Sequence, residues 1–200
     1  MGRQLHETNT LDEFIMCLRQ KHSNCYVPDF DANNAKENAR VLFLFEKPGR
    51  MTDPKNRGSG FISQDNNDPT ARATKDFLSK AGIDREDAIF WNCISGWNGT
   101  RKITPEERKE AIVEITELLR ILHNLQAIIF VGKEAKKLSK KLNIKKYRSV
   151  CSIHPSPINR ATRRSEWENI PLVWASVLTD CMSVPLKGTE VWTYINSNNA

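Results

Sequence analysis

Apolar and polar positions along the chain follow two periods, one helical and one of strands. Leu11–Gln20 (LDEFIMCLRQ) carries apolar residues at helical spacing and predicts a short helix. Val41–Phe45 (VLFLF) is a continuous apolar run halted by Glu-Lys-Pro-Gly, the pattern of a strand buried on both faces. The stretch 50–67 is polar and rich in Gly, Asn and Asp, and predicts a long loop of the kind that carries function or stays disordered. Pro69–Lys80 predicts a helix, with Asp68 as its N-cap and Gly82 ending it. Residues 88–92 (AIFWN) give a second strand. Thr104-Pro-Glu-Glu107 is a capping box with proline at the first helical position, and Ile112, Ile115, Leu118, Leu119 and Leu122 then share one helix face. Residues 127–131 (AIIFV) form a third strand, followed by Gly132 and a Lys-rich helix. Residues 149–153 (SVCSI) form a fourth, followed at once by His154-Pro-Ser-Pro157. Ser165–Thr179 predicts a last helix interrupted near Pro171, and the tail 187–200 is polar and expected to fray.

Strands that alternate with helices predict parallel pairing through right-handed crossovers. The expected fold is a three-layer α/β/α sandwich around a central parallel sheet of about four strands. The 200 residues suit a single domain spanning 1–200, with its core at roughly 38–180. Ligands in such sheets bind beyond the carboxyl ends of the strands. The least ordinary residues stand at three of those ends: Glu46-Lys-Pro-Gly49, Asn92, and His154-Pro-Ser-Pro157.

Composition narrows the partner only slightly. Thirty Lys and Arg against twenty-four Asp and Glu leave a net charge of +6, which favours a polyanion such as nucleic acid, although many soluble proteins are mildly basic. No apolar run approaches the ~20 residues of a membrane span, and the first ten residues lack the apolar core of a secretory signal, so a cytoplasmic protein with no membrane partner is expected. The five cysteines are scattered without any CxxC pair, which argues against a zinc ribbon or an iron–sulfur cluster. They are expected as reduced, mostly buried thiols, with no metal and no cofactor. No Walker loop, HExxH or GxSxG is present.

Four segments together resemble the uracil-DNA glycosylase superfamily. FEKPGR (45–50) resembles the first motif, GSGF (58–61) the segment whose Phe stacks on the extruded base, IFWN (89–92) the strand ending in the base-reading Asn, and HPSPINR (154–160) the second motif. Their order and rough spacing agree over about residues 38–180. Phe45 stands where the first motif has Gly, and Lys47 where the best-known branch has a water-activating Asp. Glu46 keeps the carboxylate of the thermostable iron–sulfur branch, whose cluster cysteines are missing here.

The resemblance implies a monomeric, monofunctional DNA glycosylase, which flips a pyrimidine out of DNA and hydrolyses its bond to the sugar. It implies Glu46 and His154 as the catalytic pair. Glu46 would position water or stabilise the sugar cation, against a plainer role capping backbone amides. His154 would donate to the pyrimidine O2 as charge develops there, against a structural role. Asn92, Phe61, Gly49 and Pro48 would bind the base, with Asn92 reading its edge and Phe61 stacking or else anchoring its loop. In the uracil-specific branch a Tyr at the position of Gly49 closes the C5 side, so glycine leaves room for C5-substituted pyrimidines. Pro157, Ile158, Asn159, Arg160, Arg163 and Lys47 would contact DNA, with Ile158 as a wedge. The Lys-rich stretch 133–148 reads as a solvated face. Outlying members that remove glucosylated hydroxymethylcytosine from phage DNA give a second expectation, and a non-catalytic lesion-binding protein a third.

Overall fold

The computed structural model describes residues 8–178. The tail 187–200 and the expected helix end at Thr179 lie outside the described residues. In chain order the elements are α1 (Leu11–Lys21), β1 (Asp29–Phe30), β2 (Val41–Phe45), β3 (Phe61–Ile62), α2 (Pro69–Ala81), β4 (Ala88–Asn92), α3 (Pro105–Ile121), β5 (Ala127–Val131), α4 (Lys133–Ser139), β6 (Arg148–Ser152), α5 (Pro157–Thr162), α6 (Arg164–Glu168) and α7 (Ile170–Ala175). Strands β4-β2-β5-β6 form one sheet in that order, every pair parallel. Helices flank it on both sides, as the alternation predicts.

Strand periodicity sorts the core into two halves. Leu42, Leu44, Ile89, Trp91, Ile128 and Phe130 face α1, α3 and α4. Their neighbours Val41, Phe43, Phe90, Ile129 and Val131 face α2 and α7. Because β2, β4 and β5 bury both faces, they read as unbroken apolar runs. β6 lies at an edge with alternating exposure, and begins one residue earlier than expected.

The helix ends follow local chemistry. α2 starts at Asp68, whose carboxylate accepts from Thr70 N and Ala71 N at 2.8 and 3.0 Å, and stops at Gly82, with φ of 67°. The Thr104–Glu107 capping box forms as expected, with Glu107 N to Thr104 Oγ1 at 3.1 Å and Thr104 N to Glu107 Oε2 at 2.8 Å.

One expectation fails. The segment 50–67 is not a featureless loop: it winds through 3-10 turns at Arg50–Thr52 and Pro54–Asn56, then adds β3 in parallel beside β1. Gly58 makes this winding possible, because a Cβ there would come within 2.6 Å of Asp53 N. The last helix is interrupted near Pro171, as expected. The chain breaks at Arg163 and Asn169 into α5, α6 and α7, with Pro171 in the first turn of α7 where its missing N–H costs nothing.

Cys93 is buried, Cys17 and Cys25 are half-buried, and Cys151 is exposed, so the expectation of mostly buried thiols does not hold among the described residues. No helix among them is long and apolar enough to cross a membrane.

Candidate active site

Parallel pairing brings the carboxyl ends of all four central strands to one edge of the sheet. Phe45 pairs with Asn92 in register, and Cys93 N and Ile94 N donate to Phe45 O and Glu46 O at 2.8 and 3.0 Å. The Glu46–Gly49 turn is thereby held directly beyond Asn92. On the other side, Gly132 N donates to Ser152 O at 3.0 Å, which places the start of α4 next to the segment leading to His154. These ends floor a cleft of about 1040 Å³. Such a volume lies near the upper end for small-molecule sites and exceeds what one pyrimidine fills.

Glu46, Asn92 and His154 all line this cleft. Asn92 is only 4% exposed, and its carboxamide has no hydrogen-bond partner among the described residues. A buried amide turned toward an open cleft without a partner is available to a ligand. The imidazole of His154 likewise has none. It packs edge-on against Phe45, ring centroids 5.6 Å apart, and Asn159 Nδ2 donates to its carbonyl at 2.7 Å. Burial holds the imidazole pKa below its ordinary value. The charge of Glu46 pulls it upward, Arg101 pushes it further down and Asp68 pulls weakly upward. His154 is therefore neutral at neutral pH.

The Glu46 carboxylate faces two ways. Its Oε1 accepts from Glu134 N at 2.9 Å, capping α4 from another strand, while Oε2 has no partner among the described residues. Gly132 permits this approach. Its φ is 101°, and a Cβ there would stand 2.5 Å from Glu46 Oε1. Both the backbone conformation and the carboxylate demand glycine.

The sequence profile of the uracil DNA glycosylase superfamily matches residues 32–177, well over half of the chain. The chain belongs to that superfamily. The resemblance carried by the four motifs is borne out. A solution NMR structure of a candidate uracil DNA glycosylase from Methanosarcina acetivorans is similar, with a TM-score of 0.50 and 17% identity, covering 71% of this chain and 92% of that one. At that identity the likeness concerns the fold. A mimivirus UNG variant in complex with UGI gives a TM-score of 0.44 and 15% identity, over 73% of this chain and 64% of the other. No curated protein matches the sequence.

Within this superfamily member, the expected site residues fall into two groups. Glu46, Pro48, Gly49, Asn92 and His154 converge on the cleft, and Pro157, Ile158, Asn159 and Arg163 lie along it. Ile158 is 73% exposed near the start of α5. The segment after His154 is a short helix, with Pro157 in its first turn and Ser156 as its N-cap. Phe61, 43% exposed, does not line the cleft; its neighbour Ile62 does, as the two-residue period of a strand requires. Lys47, also along the cleft, has its ammonium engaged within the protein. Its side chain is 3% exposed, and its ammonium donates to Glu107 Oε1 at 2.7 Å and to Lys102 O at 3.0 Å. Arg163 pairs with Glu166, and Arg160 lies 5.2 Å from the Trp167 ring centroid. Asn159 donates through Nδ2 to the His154 carbonyl.

Two cleft residues escape sequence reasoning. Gln64 is 7% exposed, lines the cleft and has no hydrogen-bond partner among the described residues. Its only signal is a polar residue buried in a polar loop, and burial is not visible in sequence. Arg101 enters from the segment before α3, beyond Asn92 and outside every motif. Asp65 and Asp68, by contrast, are occupied. Asp65 pairs with Lys75 and Arg85, whose guanidinium also pairs with Asp31, and Asp68 caps α2.

Proposed function

We propose that this protein is a monofunctional DNA glycosylase that hydrolyses the N-glycosidic bond of a flipped-out pyrimidine and leaves an abasic site. The observation that carries the reading is the convergence of unpartnered Asn92, neutral His154 and half-committed Glu46 at one edge of a superfamily-type sheet. Asn92 reads the base edge with its acceptor and donors. The C1′–N bond breaks with its electron pair going to the base, and His154 donates a hydrogen bond to the oxygen where that charge accumulates. A preorganised donor of this kind is worth roughly 3–4 kcal/mol. Glu46, through Oε2, orients the water whose oxygen forms the new bond to C1′. The proton that water sheds passes to the carboxylate and then to solvent. Ile158 fills the gap left in the base stack, and the neighbouring helix turn lies along the backbone.

Gly49 favours a wider substrate range than uracil. Its φ of −96° suits any residue, and a Cβ there would have only Arg101 Nη2 within 4 Å beyond its chain neighbours, at 3.9 Å. The missing side chain therefore leaves space, which suits a C5-substituted pyrimidine.

The test is base release, followed by mass spectrometry, from duplexes containing uracil, thymine mispairs, and hydroxymethylated and glucosylated cytosine. Release of one or more bases, abolished in Glu46→Gln and His154→Ala proteins that still bind duplex, is the expected result. Tight binding to an abasic duplex with no release of any base would instead establish a recognition protein.

A further inference from the structure

Arg101 is a cation that the first-motif chemistry does not use. It is exposed, lines the cleft, and has no ion pair or hydrogen bond among the described residues. Its Nη2 is the nearest group to the space that Gly49 leaves open, and its charge reaches His154.

The segment that carries it is anchored. Lys47 Nζ donates to Lys102 O and pairs with Glu107 Oε1, while Asn98 Nδ2 donates to the same Oε1 at 3.2 Å. Glu107 also closes the capping box of α3. Lys47 thus ties the turn bearing Glu46 and Gly49 to the residue following Arg101. One buried ammonium fixes the two walls of the open side relative to each other. The residue that displaces an acid from the first motif and the residue that leaves a gap belong to one arrangement.

We infer that Arg101 is a specificity-determining residue that reads the substituent on the C5 side of the flipped pyrimidine and selects one bearing oxygen acceptors, such as a hydroxymethyl or carboxyl group. A guanidinium presents several fixed donors and no acceptor, so an apolar methyl in the same space gains nothing from it. A carboxylate or hydroxyl oxygen satisfies it directly. The inference rests on the glycosylase reading and deepens it.

The experiment uses the full chain and duplexes in which one uracil carries hydrogen, methyl, hydroxymethyl or carboxyl at C5. Release is measured as kcat/KM, and binding as Kd on the matching non-hydrolysable 2′-fluoroarabino duplexes. Intrinsic differences in leaving-group ability cancel when Arg101→Met is divided by wild type for each base. Arg101 is exposed, so the variant keeps the fold. The hydroxymethyl and carboxyl substrates should lose about 10-fold to 100-fold more than the methyl substrate, the range of a hydrogen bond to a charged group. Arg101→Lys should recover part of that difference. An equal loss for all four bases, accompanied by a shallower salt dependence, would assign Arg101 to a phosphate and overturn the inference. Base release with no differential effect would overturn it too, while leaving the glycosylase reading intact. If no base is released, that reading fails, and Kd selectivity that depends on Arg101 would still sustain this one.

Discussion

At the scale of single residues, the site depends on which polar groups are satisfied by the protein and which are left over. Asn92, Gln64 and His154 are left over, and Glu46 is half so. The proposed use of His154 requires a neutral imidazole, and its depressed pKa supplies one. The sign follows: neutral donor is lost only as pH falls below the depressed value, so kcat/KM should stay level through the ordinary imidazole value of about 6.5 and decline on the acid side of it. A pH–rate profile for base release checks this, and an acid limb centred at or above that ordinary value would contradict it. His154→Ala should lower kcat by about 10²–10³-fold, as loss of an oxyanion-type donor does. Gly132→Ala should act on Glu46 without touching substrate, since its Cβ needs the space of Oε1. Base release should fall well beyond the change in Tm, and a purely proportional loss would place the carboxylate outside the reaction. Glu46, Asn92 and His154 were legible in the sequence because each ends a strand in a parallel sheet. Gln64 and Arg101 were not, because their significance lies in burial and in the absence of a partner.

At the scale of elements, the fold was legible where periodicity is long and opaque where contacts are short and non-local. Three strands buried on both faces and the capped helix α3 announce themselves. The β1–β3 pair consists of two-residue strands more than thirty positions apart, too short to show any period. Helix α5 did leave a signal, Ser156 before Pro157, but six residues are too few for an apolar stripe. A less visible tie joins α1 to α3. Glu114 is buried, and accepts from Lys21 and His22 through Oε1 at 2.6 and 2.7 Å and from Ser95 through Oε2 at 2.6 Å. Burial alone would raise its pKa, but these donors outweigh it and bring it down to about 2. With Glu110, these residues place possible metal ligands within 4.8 Å of one another, yet both Glu114 oxygens are already engaged by protein donors. A carboxylate held this far below its usual 4.5 contributes about 3 kcal/mol above that value, and loses the contribution as pH falls toward 2. Glu114→Gln should cost about 2–4 kcal/mol near neutral pH and should flatten the acid side of the stability curve. Urea melts between pH 7 and 3 test it, and parallel curves for the two proteins would refute it.

At the scale of the whole molecule, parallel topology gathers chemistry from four distant segments onto one edge, and charge determines how a polyanion meets that edge. The net charge of +6 says little by itself, because a share of the cations is held in ion pairs: Arg19 with Asp29, Lys80 with Asp76, Arg108 with Glu134, Arg164 with Glu168. Three cations at the rim of the cleft are not so held. Arg50, Lys133 and Lys136 are exposed along it and have no ion pair among the described residues. Two of these lie on α4, the start of the Lys-rich stretch that composition alone assigns to a solvated face. A cation that is unpaired at a cleft rim is free to replace a counterion on a phosphate, whereas a paired one must first lose its partner. Duplex affinity should therefore fall steeply with salt, the slope of log K against log salt being roughly −0.9 for each phosphate neutralised. In the Lys133→Gln/Lys136→Gln double variant that slope should be shallower by up to about two such units, with affinity lowered alike for every base in the duplex. Substituting Lys80 and Lys137 the same way removes equal charge from exposed ion pairs with Asp76 and Glu134, and should leave the slope nearly unchanged. Titrations of the three proteins across a range of salt decide the matter. Equal slopes would mean that overall charge, and not the rim of the cleft, draws the nucleic acid in. A slope that drops only in the rim variant would place the phosphate track across the start of α4, beside Glu46 and His154, where the proposed chemistry needs it.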